Sequence, residues 1–155
     1  MMTGFKRMIG AGFGSGLSPI APGTIGSLCI LFPAYISHRI DPILGPILLT
    51  LFCSFLSLWV TKACVNAWGD DPGKMVIDEF AGQSLVFISL PLNYSLEDVW
   101  LVIGAFILFR FFDILKPLGI FKLQSLKNGW GILLDDLLAG FYALICLKTL
   151  IFVFL

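Results

Sequence analysis

The sequence predicts an all-α membrane protein: a polytopic bundle of about four to five membrane-embedded helices, in a single integral-membrane domain covering residues 1–155. Its composition is 58% hydrophobic and 13% charged, and its mean hydropathy is +0.97, which is not the profile of a soluble domain. Long apolar runs also recur along the chain with short polar stretches between them. The net charge is zero and no basic patch is visible, so nucleic acid is not an expected partner.

Five apolar runs are the candidates for these helices, at residues 25–36, 43–60, 76–92, 99–112 and 132–155. A helix needs about 20 residues to cross the roughly 30 Å of bilayer hydrocarbon, so the second and fifth runs are long enough. The first run is short and contains Pro33. It either spans with help from flanking residues or re-enters the membrane.

The distribution of basic residues predicts the orientation, because cytoplasmic loops carry the excess of Lys and Arg. With the N-terminus in the cytoplasm and five crossings, the opposite side receives Arg39 and Lys148, while residues 91–98 carry no basic residue. All other basic residues outside the runs then lie on the cytoplasmic side: Lys6, Arg7, Lys62, Lys74, Lys116, Lys122 and Lys127.

Acidic residues lie at the ends of three apolar runs, where an ionised side chain is costly and usually functional. Asp78 and Glu79 begin the third run, Asp113 ends the fourth, and Asp135 and Asp136 begin the fifth. Since neighbouring spans run antiparallel, the three groups should share one depth at the cytoplasmic interface. Four small residues would let the helices approach closely: Ala81, Gly82, Ala139 and Gly140. We therefore predict one pocket lined by carboxylates.

Such a pocket needs compensating positive charge, and an all-oxygen ligand set suits a hard cation such as Mg²⁺. Arg110, Asp113 and Lys116 have i, i+3, i+6 spacing, which predicts one helix face ended by Pro117. The two cations could bind a phosphate on either side of a metal ligand. The alternative is an internal salt-bridge network between these bases and the acids.

Residues 10–27 contain six glycines, two prolines and several hydroxyl side chains, a composition that predicts a loop. The loop would lie on the cytoplasmic side and could aim N–H groups and hydroxyls at a phosphate. It lacks the GKS or GKT ending of a nucleotide-binding P-loop, and a flexible lead-in to the membrane is the alternative.

The remaining reactive side chains have simpler interpretations. Cys29, Cys53, Cys64 and Cys146 form no CxxC pair and are expected to be free buried thiols. His38, next to Arg39 at the outer hairpin, is expected to be interfacial and not catalytic.

Four motifs occur in order, GFGSGLSPIAPGTIGS, VIDEFAGQ, FRFFDILKPLGI and GILLDDLLAG. Together they resemble the phosphatidylglycerophosphatase A family over about residues 10–142. The resemblance implies an α-helical, Mg²⁺-dependent phosphatase of the bacterial inner membrane. Such an enzyme removes the terminal phosphate of phosphatidylglycerophosphate and yields phosphatidylglycerol. Leu118 and Gly119 depart from the family pattern, which should affect lipid fit more than chemistry.

The residues that we assign as metal ligands are Asp78, Glu79, Asp113, Asp135 and Asp136. The catalytic set is Asp78, Glu79, Asp113 and Asp136, and the phosphate-binding set is Arg110, Lys116, Thr24 and Ser18. Glu79 could be a general base instead of a ligand, because adjacent helical positions diverge by about 100°. A metal-activated water and an aspartyl-phosphate intermediate both remain open.

The main alternative function is a small cation- or proton-coupled transporter or channel, since intramembrane carboxylates also form ion pathways. Such a protein needs polar groups across the bilayer, whereas residues 87–92 and 144–155 are almost wholly apolar. The expected partner is therefore the phospholipid substrate, with no obligate protein partner, and the oligomeric state is not predicted.

Overall fold

The computed structural model describes residues 2–70, 72–117, 119–123, 126 and 129–154. These residues form α-helices joined by turns, with no strand among them, which confirms the all-α prediction. The helices are α1 (Met2–Gly10), α2 (Pro22–Ile40), α3 (Leu44–Trp68), α4 (Ile77–Leu85), α5 (Asp98–Leu115), α6 (Ile120–Leu123) and α7 (Trp130–Phe154), with a 3-10 segment at Gly12–Leu17. Two residues of the sequence analysis lie outside the described residues. Leu118 is one of the two departures from the family pattern, and Lys127 is one of the basic residues from which the orientation was predicted.

Two of these helices, α3 and α7, are long and apolar enough to cross a membrane. They correspond to the second and fifth predicted runs, so the count of four to five is wrong by this measure. The physical reasons differ between helices. Helix α4 has nine residues, α5 carries three charged side chains, and α2 contains Pro33 and ends in a polar turn.

The predicted third run is helical only as far as Leu85. The next turns tighten, because Val86 N–H donates to the Gln83 carbonyl (3.3 Å) and Phe87 N–H to that of Ser84 (3.1 Å). Ser89 then adopts a left-handed φ of 55°, and its N–H donates to the Pro42 carbonyl (2.7 Å). The helix therefore ends at Leu85, and the chain turns away from its direction by Ser89.

The glycine-rich stretch is a loop for only part of its predicted length. Ala21 has a left-handed φ of 46°, and Pro22 occupies the start of α2, where its fixed φ suits a first helical turn. Thr24 and Ser27 are therefore helical residues. The prediction of a loop through residue 27 is wrong for the last six positions.

Helix α4 packs between α7 and α3, and its approach to α7 is close because both contribute glycine. A Cβ at Gly140 would overlap the Gly82 carbonyl oxygen, and a Cβ at Gly82 would lie 2.5 Å from the Asp136 carbonyl oxygen on α7. The predicted close approach of these helices is confirmed. It brings Asp78 on α4 beside Asp136 on α7.

The outer surface of the bundle is strongly apolar. On α3, the side chains of Leu48, Leu51, Phe52 and Phe55 are each exposed, with Phe55 at 65%. Continuous apolar faces of this kind mark contact with lipid or with another protein.

The two ends of the bundle differ in their polar residues. The N-terminal turns of α2, α4 and α7 meet the C-terminal turns of α5, an end that we call the acidic end. The C-terminus of α2 meets the start of α5 and residues 89–94 at the opposite end, which we call the far end.

Candidate active site

The carboxylates of α4 and α5 meet around one guanidinium at the acidic end. Arg110 Nη1 lies 2.7 Å from Glu79 Oε2 and 2.7 Å from Asp113 Oδ2. Arg110 and Asp113 are one turn apart on α5, so both project toward the first turn of α4. The sequence prediction placed these three side chains at one depth, and the structure brings them into contact.

Lys116 pairs with α7 rather than with α4. It caps α5 in a left-handed conformation, with φ 45°, so the helix ends one residue earlier. Lys116 therefore does not extend the helix face of Arg110 and Asp113, as the i, i+6 spacing predicted, and its ammonium instead contacts the Asp135 carboxylate. Burial lowers the pKa of Lys116, but the carboxylate of Asp135 outweighs it and the net shift is upward.

Asp78 and Asp136 are the two predicted acids that these cations leave unpaired. Each is 4% exposed, and neither forms an ion pair among the described residues. Asp78 Oδ1 is buried without a hydrogen-bond partner in that part of the chain. Burial, followed by the negative charge of Glu79, raises the pKa of the Asp78 carboxyl well above its usual range.

Arg110 also has an unused donor at this point. Its Nη1 serves Glu79, Asp113 and the Ser27 hydroxyl, whereas its Nε is buried and has no partner among the described residues. An unmet acceptor on Asp78 and an unmet donor on Arg110 thus lie in one cluster. A cation would satisfy the first and an anion the second.

Ser27 on α2 completes the contacts of Glu79 and was not in the predicted site. Its Oγ lies 2.9 Å from Glu79 Oε2 and 3.3 Å from Arg110 Nη1. One turn earlier, the missing side chain of Gly23 makes room for the Glu79 carboxylate. Burial raises the pKa of Glu79, and the Arg110 guanidinium opposes this shift. The only sequence signal for Ser27 was that the glycine-rich stretch contains several hydroxyl side chains. That signal did not distinguish Ser27 from the other serines and the threonine of the stretch.

The structure does not bring the other two predicted hydroxyls into contact with the acids. Ser18 Oγ donates to the Ile20 carbonyl (2.9 Å) within its own turn. Thr24 is half-buried on the first turn of α2, and its hydroxyl has no hydrogen bond among the described residues. The N–H groups of Gly14 and Gly16 both donate to the Ala11 carbonyl, so they are already used. A phosphate-binding role for Ser18 and Thr24 stays a prediction.

The donor set nevertheless fits a hard cation. Among the described residues, no three Asp, Glu, His or Cys side chains are already grouped around one point. Three of the five acids are instead held by Arg110 and Lys116, as the salt-bridge alternative expected. Mg²⁺ usually takes one or two protein carboxylates and completes its shell with water and substrate phosphate. Asp78 and Asp136 match that requirement.

The far end holds a second polar cluster that the sequence did not predict. His38 is 1% exposed, and its Nε2 lies 2.9 Å from the Leu90 carbonyl oxygen. The Tyr94 hydroxyl lies 3.2 Å from His38 Nδ1. Asp98 accepts hydrogen bonds from the Tyr35 hydroxyl (3.2 Å) and the Asn93 N–H (3.0 Å). His38 is therefore buried, because these bonds hold it inside; its predicted interfacial position stays a prediction.

Comparison with known proteins gives a consistent result. The family model described as Phosphatidylglycerophosphatase A matches residues 8–151. A Bacteroides thetaiotaomicron protein named "Putative phosphatidylinositol-3-phosphatase" is 41% identical over 92% of this chain and 91% of its own length. Two proteins named Phosphatidylglycerophosphatase A are also similar. The Haemophilus influenzae protein is 39% identical over 90% of this chain and 84% of its length, and the Escherichia coli protein is 33% identical over 86% and 76%. No solved structure matches.

Proposed function

As a member of the phosphatidylglycerophosphatase A family, this chain is a phosphatase, and we propose that it removes the terminal phosphate of phosphatidylglycerophosphate. The products are phosphatidylglycerol and inorganic phosphate, which places the reaction in phospholipid biosynthesis. The name of the Bacteroides relative makes phosphatidylinositol 3-phosphate the first competing substrate to test.

One observation carries this proposal: Asp78 Oδ1 and Arg110 Nε are both buried without a partner among the described residues, and Glu79, the neighbour of Asp78, contacts Arg110. An unsatisfied buried polar atom costs about 1–3 kcal/mol, and more when it is charged. The ion pairs of Arg110 with Glu79 and Asp113 leave both of these atoms without a partner among the described residues. A phosphomonoester bound together with a cation satisfies both.

The side chains then have distinct roles. Arg110 binds the substrate phosphate through Nε, and Lys116 adds a second positive charge beside Asp135. Glu79, held between Ser27 and Arg110, is placed to accept a proton from the attacking nucleophile. Asp113 keeps the guanidinium in position.

We propose Mg²⁺ as the cofactor, held by Asp78 and Asp136, with Glu79, Asp113 and Asp135 as further candidate ligands. Such an ion lowers the pKa of a coordinated water and neutralises charge that develops on the phosphoryl oxygens. A bound Mg²⁺ would also reduce the electrostatic repulsion between the carboxylates. Asp136 experiences the negative charges of Asp113, Asp78, Asp135 and Glu79.

The proposed location is the bacterial inner membrane, with the acidic end and the N-terminus on the cytoplasmic side. Helices α3 and α7, the two that are long and apolar enough, would cross the bilayer beside the shorter helices. The exposed apolar faces support embedding. A phospholipid would then present its phosphate at the depth of Asp78 while its acyl chains stay among the helices.

The test is phosphate release by the purified protein in detergent. Phosphatidylglycerophosphate, phosphatidic acid and phosphatidylinositol 3-phosphate are compared, each with Mg²⁺ and with a chelator. We expect release from phosphatidylglycerophosphate that a chelator abolishes and Mg²⁺ restores. Release that is faster from phosphatidylinositol 3-phosphate would reassign the substrate, and release unaffected by chelator would end the metal proposal.

Asp78→Asn, Asp113→Asn and Asp136→Asn should each lose activity in this assay. Glu97→Gln is the matched control, because Glu97 is an exposed acid that precedes α5 at the far end. Full activity in all three acidic-end variants would contradict the site assignment.

The transporter or channel alternative is not favoured by the family match. It would require ion flux through reconstituted vesicles that depends on Asp78. The same Asp78→Asn protein distinguishes the two functions, since it should alter phosphate release and leave vesicle ion permeability unchanged.

A further inference from the structure

The last residue of the VIDEFAGQ motif, Gln83, has a buried side chain without a hydrogen-bond partner. It is 0% exposed, and among the described residues neither its Nε2 nor its Oε1 forms a hydrogen bond. Its backbone carbonyl accepts from the Val86 N–H, so only the side-chain amide is unused. Buried amides in proteins are nearly always paired, because an unpaired one is costly. The roles assigned so far leave this amide without a function.

Gln83 lies one helical turn beyond Glu79 on α4. Residues four apart on a helix lie on one face, with their Cβ atoms about 5–6 Å apart. On this face, Glu79 Oε2 lies 2.7 Å from Arg110 Nη1 and 2.9 Å from Ser27 Oγ. Gln83 is therefore the next side chain after the contact between Glu79 and the guanidinium that we assign to the substrate phosphate.

The neighbouring row of side chains on α4 faces a different helix. Asp78 and Gly82 are also four residues apart, and a Cβ at Gly82 would lie 2.5 Å from the Asp136 carbonyl oxygen on α7. Helix α4 thus directs the proposed metal ligand Asp78 toward α7, and it directs Glu79 toward α2 and α5. Because α4 begins at the acidic end, Gln83 lies deeper in the bundle than either acid.

The chemistry of the amide restricts what it can bind. Its Oε1 accepts and its Nε2 donates, so a single group that satisfies both atoms must itself donate and accept. An ionised phosphate oxygen only accepts, an acyl chain does neither, and a hydroxyl does both. In phosphatidylglycerophosphate, a free hydroxyl lies on the carbon next to the one that bears the terminal phosphate. This hydroxyl is on the acyl-chain side of that phosphate, which is the deeper side.

We propose that Gln83 binds the free hydroxyl of the headgroup glycerol and is a specificity-determining residue for this substrate. The inference rests on the proposed function. Phosphatidic acid has a phosphomonoester but no hydroxyl beside it, so its binding would leave the amide unpaired. A site that hydrogen-bonds a substrate hydroxyl discriminates against an analogue that lacks it. Phosphatidylinositol 3-phosphate has hydroxyls beside its phosphate, so Gln83 would select against phosphatidic acid and not against that lipid.

The first test changes the substrate and keeps the protein as wild type. Dihexanoyl phosphatidylglycerophosphate is compared with the analogue in which the headgroup hydroxyl is replaced by hydrogen. Both lipids keep the two phosphates, so the contact with Arg110 is unchanged. We expect kcat/KM to be about tenfold lower for the deoxy analogue, the effect of one hydrogen bond whose loss leaves a buried amide unpaired. Equal values for the two lipids would overturn the role of Gln83.

The second test removes the amide with Gln83→Met, which nearly preserves the side-chain volume. Its kcat/KM for phosphatidylglycerophosphate should fall about tenfold, and its value for the deoxy analogue should equal that of wild type, so the two lipids become equivalent. Ser84→Ala is the matched control. Ser84 is also 0% exposed with an unpartnered hydroxyl among the described residues, but it lies about 100° further around α4. This variant should retain the tenfold preference.

Thermal unfolding of Gln83→Met separates recognition from a structural role. The Tm should match that of wild type or exceed it, because the substitution removes two unmet polar atoms. A lower Tm with equal losses on both lipids would assign the amide to a buried water within the fold and overturn the inference. Wild-type protein that releases no phosphate from either lipid would instead contradict the proposed function, and with it the ligand assigned to Gln83.

Discussion

The acidic end and the far end both bury charged or polar side chains, but among the described residues the hydrogen bonds of the far-end cluster are satisfied and those of the acidic end are not. Asp98 accepts two hydrogen bonds, and both ring nitrogens of His38 have a partner within 3.2 Å. At the acidic end, Asp78 Oδ1 and Arg110 Nε have none among the described residues.

Whether the buried polar atoms have hydrogen-bond partners therefore distinguishes a structural cluster from a binding site better than the presence of buried charge does. Burial alone would rank Asp98, at 3% exposed, with Asp78, at 4%. The far end ties residues 90–98 to α2, so its bonds serve stability. The acidic end retains unmet bonding capacity, which is what a site for cation and phosphate requires.

Asp78→Asn should have the largest effect on activity, and it should change activity and stability in opposite directions. We expect phosphate release to fall on the order of 100-fold, while the Tm in detergent stays the same or rises. The rise follows because an amide cannot ionise, whereas burial and the charge of Glu79 disfavour the ionised Asp78 carboxylate in the folded protein. Colorimetric phosphate release and unfolding followed by intrinsic fluorescence measure the two quantities. A fall in Tm would show that Asp78 is structural.

Asp98→Asn should reverse this pattern. The substitution weakens hydrogen bonds from Tyr35 and the Asn93 N–H, so we expect a loss of about 1.5–3 kcal/mol of stability. Activity per folded molecule toward a short-chain substrate should stay within about twofold of wild type, because Asp98 is at the opposite end from the acids. Unchanged Tm, or activity lost in proportion to Asp78→Asn, would remove the distinction between the ends.

Gly82→Ala tests whether the acidic end depends on the contact between α4 and α7. The new Cβ would lie 2.7 Å from the Phe109 ring and against the Asp136 carbonyl. We expect a loss of about 1–3 kcal/mol from overpacking and reduced phosphate release, because α4 must move away from Asp136.

Gly104→Ala is the matched control for this change, since its Cβ would meet only Leu147 Cδ1 at 3.4 Å. Its Tm and activity should match those of wild type. If both alanine variants behave alike, the distance between Asp78 and Asp136 does not limit activity.

Much of the acidic end could be predicted from the sequence, because it depends on periodic features. Apolar runs of sufficient length located α3 and α7, and the alternation of direction placed acids from three helices at one end. The four ordered motifs identified the family, which the match over residues 8–151 confirms.

The far end could not be predicted, because it is built by residues distant in sequence and by an irregular segment. The end of α4 at Leu85 depends on Ser89 bonding to Pro42, a contact that no local pattern encodes. The ion pair between Lys116 and Asp135 also could not be predicted from the sequence. It forms because Lys116 has a left-handed backbone conformation at the end of α5 and so does not continue the helix face of Arg110 and Asp113. The sequence indicated that bases would meet acids but not which ones.

Tyr94→Phe should give the smallest effect and sharpen the comparison within the far end. It removes the hydroxyl that donates to the His38 carbonyl (3.1 Å) and lies near Nδ1, while the bond from Nε2 to Leu90 remains. We expect a loss of about 0.5–1.5 kcal/mol, with no change in phosphate release. Thermal unfolding and hydrogen exchange of residues 89–98 measure it. Because the ring and its packing against Tyr35 are kept, a loss as large as that of Asp98→Asn would mean that the hydroxyl, and not the carboxylate, holds this segment on α2.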